Sequence, residues 1–400
     1  MSLARDVVII DYLRSPFSRS NPRVPEKDIL HDWMMAEVLG MLWQELVNRN
    51  KLDPEIIDEA ITGSGSPILE QFTFGGRFTS FYGQLPFKVA THSTDMQCGS
   101  SFCGLRSAVM SIASGFADIC LVGGIEHMTR VPMGGAGAMV FPPKMMANEP
   151  EYKKYDLPFS INMGYTAQKT QELYGFTREE MDKIAERSHR LCAEATKSGW
   201  LKEEMMPIPV TLADGTKTMF DYDANCRPDT SYEILAALKP AYKADGNITA
   251  GNASPLTAGA SSMLIMAREK AEKLGYKPMA SFVSFGVAGV DPTLMAAGPL
   301  PAVKKSLEYA RMQAKDMDYW EVNEAFALVP MCISKEYNVP MERINIHGGG
   351  LAIGHPLGST GLRIVGTLAR ILHEKKAKYG NASMCVGGGQ GIAAVIKAEY

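Results

Sequence analysis

Short apolar runs alternate with amphipathic stretches at both ends of the chain. Val7 to Ile10, followed at once by Asp11, reads as a buried strand. An amphipathic region over 29–49, the run EAITGSG, a helix over 100–114 and the run ADICLVGG come next. The grammar returns after residue 268 with SFVSFGVAGV, a helix through Ala302 to Ala310, YWEVNEAFALV and a last strand in ASMCVGG. Such alternation predicts an α/β fold with buried strands. Without gaps, Gly104-Leu105-Arg106 falls on Gly361-Leu362-Arg363 at an offset of 257, which sets Cys98 on His355. A second similarity sets Cys120-Leu-Val-Gly-Gly on Cys385-Val-Gly-Gly-Gly, eight residues out of that register. Both suggest an internal duplication.

Residues 128–165 break the pattern with a Met-, Gly- and Pro-rich stretch too long for a connecting loop. They read as the start of an inserted subdomain. It carries one clear helix, Thr177 to Lys197, with Thr177 as N-cap and Glu180 as its capping-box partner. The α/β grammar resumes near TAGNASPLTAGASSMLIMA with another buried strand. The expected organisation is a first half over 1–120 plus 250–268, an inserted domain over 121–249 and a second half over 269–400.

The composition narrows the classes. With 400 residues, 46% hydrophobic and 21% charged, the chain has ample core and is neither disordered nor a disulfide scaffold. A net charge of -3 leaves no global footprint for nucleic acid, so no nucleic-acid partner is expected. Seven cysteines scattered from 98 to 385 read as reduced thiols, which makes a cytoplasmic location the default. No run reaches 18 apolar residues, so no membrane span is expected.

Four segments could carry chemistry. Cys98 precedes a Gly-Ser-Ser turn and a helical run, where helix N–H groups would lower a thiol's pKa and stabilise an oxyanion; the other reading is a small buried apolar Cys. His355 lies in INIHGGGLAIGHPLGSTGLR, whose glycines do not fit a dinucleotide phosphate loop. Asn323 and Glu324 interrupt apolar residues at a strand end, where polar side chains mark a cap or a site. Cys385 stands immediately before three glycines whose N–H groups could face a ligand. C-x4-C at Cys98 and Cys103 is not a zinc spacing, and no metal site is expected.

Taken together, the Cys-Gly-Ser turn, AGNAS at 250–254, NEAFA at 323–327, GHPLGSTG at 354–361 and CVGGGQG at 385–391 resemble the thiolase family, in order over essentially the whole chain. The resemblance implies two similar α/β halves packed together with an inserted loop domain that binds coenzyme A. It implies cleavage of a 3-oxoacyl-CoA by CoA, or the reverse Claisen condensation, with CoA a substrate and no cofactor. By position, Cys98 would be the acylated nucleophile and His355 its base. Asn323 would complete one oxyanion site through a water, and the N–H groups of Cys98 and Gly387 would form a second. Cys385 would move the α-proton.

Arg227 matches an adenine-stacking position and Ser254 a pantetheine contact, with Ala250 beside it. Tyr242, Met163, Met295 and Phe326 match lining positions of the acyl and pantetheine tunnel. A homodimer or homotetramer is implied. Two positions depart from the common pattern: His347 stands where many relatives have Asn, and Asn162 where short-chain acetoacetyl-CoA enzymes often have His. The rival readings are another condensing enzyme of the superfamily, a short-chain enzyme working in condensation, and a non-catalytic acyl-CoA binder.

Overall fold

The computed structural model describes residues 4–400. The first half contributes β1 (Val7–Arg14), β2 (Ser18–Arg19), β3 (Glu59–Ser64), β4 (Ala90–Thr94), β5 (Ile119–His127) and, after an excursion holding the hairpin β6 (Ile208–Thr211) and β7 (Lys217–Phe220), β8 (Thr257–Ala267). The second contributes β9 (Ala280–Gly289), β10 (Tyr319–Val322), β11 (Tyr379–Val386) and β12 (Gln390–Ala398). The strand order β4-β3-β5-β8-β1 is met by β9-β12-β11-β10. In the first half β4, β3 and β5 run parallel, as β10 and β11 do in the second, and the remaining pairs within each half are antiparallel. The halves join through two residue pairs, Val8 with Ser281 and Ile9 with Ala280.

Strands β5 and β8 are buried at every position, as their unbroken apolar runs require. Two helices, Ser100–Ala113 and Leu357–Glu374, pack against each other, the second buried at every residue from Leu357 to Ala369. Its polar residues are met inside: Arg363 donates to Glu321 at 2.8 Å and Thr367 to Glu204 at 3.1 Å.

These helices start 257 residues apart, as the aligned glycines suggested. The strand similarity was misregistered. Cys120 pairs with Glu59, and Gly380 with Tyr319, so β5 lies on β11 at an offset of 260 and Cys385 corresponds to Ile125. The same anchor fixes both: Asp58 Oδ2 accepts the N–H groups of Asp118 and Ile119, and Asp318 Oδ2 those of Lys378 and Tyr379.

Three further differences from the sequence expectations have local causes. Residues 29–34 are not helical, because Asp28 accepts from Ser20 Oγ and the Leu30 N–H and holds a turn, leaving a helix over Met35–Arg49. The boundary placed after residue 120 falls inside β5, and the chain leaves the sheet only after His127. The excursion holds a second long helix, Met163–Tyr174, besides Arg178–Lys197, whose Thr177–Glu180 capping box is present.

Candidate active site

Cys98 occupies a tight turn, Gln97–Gly99, directly before the Ser100 helix. Gln97 is held at φ +46°, a left-handed conformation that costs a non-glycine residue about 1–3 kcal/mol. The turn is held from both sides. Asp95 Oδ1 accepts the Gln97 N–H at 3.0 Å, while Ser100 Oγ accepts the Met96 N–H at 2.9 Å and donates to the Gln97 carbonyl at 2.6 Å. The backbone N–H groups of Gly387 and of Cys98 itself point to the Cys98 sulfur.

The expectation that a helix start lowers this thiol's pKa is corrected. Burial, joined by the charge of Glu126, outweighs the two N–H groups and pushes the Cys98 thiol up to about 11. Cys385, at the end of β11, is fully buried; burial first and the neighbouring Cys98 second push its thiol well above the ordinary range.

His355 is 4% exposed, and burial, with the Arg363 charge adding, pushes its imidazole down to about 3. Its ring therefore rests neutral. The Thr360 hydroxyl donates to the Pro356 carbonyl at 2.9 Å, so it accepts from His355 Nδ1–H at 2.7 Å. That leaves Nε2 as the acceptor, 3.2 Å from the Asn323 amide nitrogen. Asn323 is fully buried at the end of β10, and its Oδ1 has no hydrogen-bond partner among the described residues.

The glycine-rich loop ahead of His355 packs rather than opens to a ligand. Glu324 accepts from Ser188 Oγ at 2.6 Å, Asn345 Nδ2 at 2.8 Å and the Leu351 N–H at 3.2 Å. Gly348 lies at φ +80°, where a Cβ would come 2.6 Å from the Ser188 carbonyl. His347 lies away from this centre, stacked on Trp200 with ring centroids 4.0 Å apart and bonded to Glu374 at 2.6 Å. Asn162 is the N-cap of the Met163 helix, accepting the Tyr165 N–H at 3.2 Å.

The candidate residues thus comprise a buried thiol with backbone donors aimed at its sulfur, a second thiol beside it, and a neutral imidazole whose Nε2 accepts from Asn323. Family models of the thiolase N-terminal domain and the thiolase C-terminal domain match residues 7–269 and 276–398. The chain belongs to the thiolase family. It is 39% identical over 397 residues to a 3-ketoacyl-CoA thiolase of Marinobacter nauticus, covering 98% of each chain. It superposes on human mitochondrial 3-ketoacyl-CoA thiolase in complex with CoA with a TM-score of 0.86 at 29% identity, covering 100% of this chain and 99% of that one. The dimeric peroxisomal thiolase of Saccharomyces cerevisiae gives 0.87 at 28% identity, with 99% and 98% covered.

The remaining thiolase positions fall in two groups. Met295 and Phe326 are buried in one apolar cluster with Cys385, and Met163 packs against it. Tyr242 lies against Gly164, where a Cβ would fall 2.1 Å from its ring. Arg227, exposed, and Ala250 line a groove of about 220 Å³ with His189, Asn225 and Leu351. The groove abuts the histidine loop, since Asn225 Nδ2 donates to the Ile353 carbonyl at 3.3 Å. Ser254 is fixed by its N–H on the Ala325 carbonyl at 3.0 Å, two residues from Asn323.

Sequence reasoning missed Thr360, Glu126 and the role of Glu324. Thr360 sits one helical turn past Pro356, a spacing at which a hydroxyl reaches back to the preceding carbonyl. No local pattern marks the other two.

Proposed function

We propose that this chain is a 3-oxoacyl-CoA thiolase working through an acyl-enzyme on Cys98. The observation that carries the reading is a buried Cys98 sulfur that receives the Gly387 and Cys98 N–H groups and has Cys385 beside it, together with a buried, neutral His355 bonded to Asn323. Cys98 and His355 rest as neutral thiol and neutral imidazole, so the proton must move as the sulfur attacks. Cys98 Sγ adds to the 3-oxo carbon while His355 Nε2 takes the thiol proton. The oxyanion is met by the N–H groups of Cys98 and Gly387, each such donor being worth about 10²- to 10³-fold.

The C2–C3 bond then breaks, leaving the acyl group on Cys98 and an acetyl-CoA enolate. Asn323 and His355 stabilise the enolate oxygen, and Cys385 returns a proton to C2. The thiol of a second CoA gives its proton to the Cys385 thiolate and adds to the acyl-Cys98 thioester; collapse of that adduct expels the Cys98 sulfur, which takes back the proton held by His355 and frees the shortened acyl-CoA. Condensation is the same path reversed.

CoA itself is the only small molecule this scheme needs, with no metal or cofactor. The groove at Arg227 and Ala250 suits its nucleotide end: a guanidinium stacks on a base and meets phosphate. Met163, Met295, Phe326, Tyr242 and Ser254 suit the acyl and pantetheine path. A homodimer is supported by the outer edge of β4, which among the described residues pairs only with β3, and by the exposed Phe72, Phe74, Phe78, Phe81 and Phe87 nearby in sequence. Seven free cysteines suit a reducing compartment such as the cytoplasm. No helix among the described residues is long and apolar enough to cross a membrane.

The test is thiolysis of 3-oxoacyl-CoA substrates of four to sixteen carbons with free CoA, followed as loss of the enolate absorbance. Decay with at least one substrate is expected; none with any would favour a binding protein.

A further inference from the structure

A buried carboxylate joins the two halves behind the reacting pair. Glu126, next to last in β5, is 1% exposed. Its Oε2 accepts the N–H groups of Gly65 and Gly358, each at 2.9 Å, and its Oε1 accepts Gln71 Nε2 at 2.7 Å. Gly65 directly follows β3, and Gly358 is the second residue of the Leu357 helix, three past His355. The Gly358 N–H is one of the donors a helix start leaves unpaired, where negative charge is favoured.

The junction has no spare room. A Cβ at Gly65 would fall 2.8 Å from Glu126 Oε2, 2.8 Å from Leu357 Cβ and 3.1 Å from the carbonyl of Gln97, the residue before Cys98. The carboxylate, the Cys98 turn and the helix bearing His355 therefore converge on one glycine. In the second half the position equivalent to Glu126 is Val386, so the repeated frame does not itself demand a carboxylate.

We propose that Glu126 is a positioning residue, a clamp between the β3–Gly65 end and the start of the Leu357 helix that holds His355 in place opposite Cys98. The proposal rests on the reading of Cys98 and His355 as the reacting pair. Burial pushes the Glu126 carboxyl up to about 6, and the charged or titratable groups that act across the junction are Asp95 and Cys98. At pH 8 the carboxylate is ionised, and its charge adds to burial in keeping the Cys98 thiol protonated.

Glu126→Gln keeps the shape and removes the charge. The expected result is a kcat for thiolysis lowered about tenfold or more with KM for CoA within about twofold. Alkylation of Cys98 by iodoacetamide at pH 8 should meanwhile become about threefold faster or more, because a like charge is gone. A purely structural role would not speed alkylation. An unchanged kcat, or alkylation unchanged, overturns the clamp.

If the variant does not fold, wild-type kcat measured against pH decides. It should fall with a midpoint near that carboxyl's value of about 6 while near-UV dichroism stays intact; a flat profile to pH 5 overturns the proposal. Absence of thiolysis in the wild type would remove the thiolase reading instead, and alkylation alone would then judge the influence of Glu126.

Discussion

Between β5 and β8 the chain leaves the sheet for residues 128–256, whereas the equivalent strands of the second half, β11 and β12, are joined by Gly387, Gly388 and Gly389 alone. Apart from strand β4, which has no counterpart among the described residues of the second half, the strand order, the senses and the aspartate anchor are the same in both halves. One connection has expanded into the domain that forms the groove at Arg227. The other has contracted into a turn whose first N–H faces the Cys98 sulfur. Expansion costs little, because loop-closure entropy grows only slowly with length while the nine-residue β5–β8 register holds the ends together. The contracted turn trades reach for rigidity, which an oxyanion donor needs. On the proposed reading, binding and chemistry are divided between two versions of one connection.

Removing the acyl carrier should have the largest effect. Cys98→Ala is expected to lower kcat for thiolysis by about four orders of magnitude or more, since no other thiol has both the backbone donors and a base. Mass spectrometry after brief exposure to acetyl-CoA should place the acetyl adduct on Cys98 in the wild type; an adduct centred on Cys192 or Cys332 would break the division. On the expanded side the effect should be smaller and of another kind. Arg227→Ala should raise KM for CoA about tenfold and leave kcat nearly unchanged, because stacking binds ground and transition states alike. A loss confined to kcat would contradict it.

The smallest effect tests the shared frame itself. Asp58→Ala and Asp318→Ala each strip the acceptor from two backbone N–H groups at a partly exposed strand start. Each should lower stability by about 1 kcal/mol, measured by urea unfolding, and the two losses should match. A large inequality would mean that the halves are alike in outline only.

The frame was legible in the sequence because β5 and β8 are buried throughout and because the two helix starts repeat at 257 residues. That Cys98 and His355 hold equivalent places, each two residues before its helix, followed from that repeat. The strand register was not legible: Cys120 and Cys385 share short glycine-rich surroundings, but the strands are set by Asp58 and Asp318, whose bonds appear only on pairing. Nor was the state of the Cys98 thiol. A helix start is visible in the local sequence, whereas the burial that outweighs it, and Glu126 acting from β5, are products of the assembled fold. Likewise Glu324 reads as a polar residue after a strand, and its hold on the glycine-rich loop depends on Ser188 from the inserted domain.

The central claim, that Cys98 carries the acyl group while Cys385 moves the α-proton, is tested most directly by deuterium exchange into acetyl-CoA in D₂O. Wild type should wash deuterium into the methyl group. Cys385→Ala should lose that exchange by about three orders of magnitude or more yet still be alkylated at Cys98 by iodoacetamide, since its nucleophile keeps His355 and the Gly387 N–H. Exchange at the wild-type rate in Cys385→Ala would assign the proton transfer to His355 or to water, and the division of labour between the two thiols would fall.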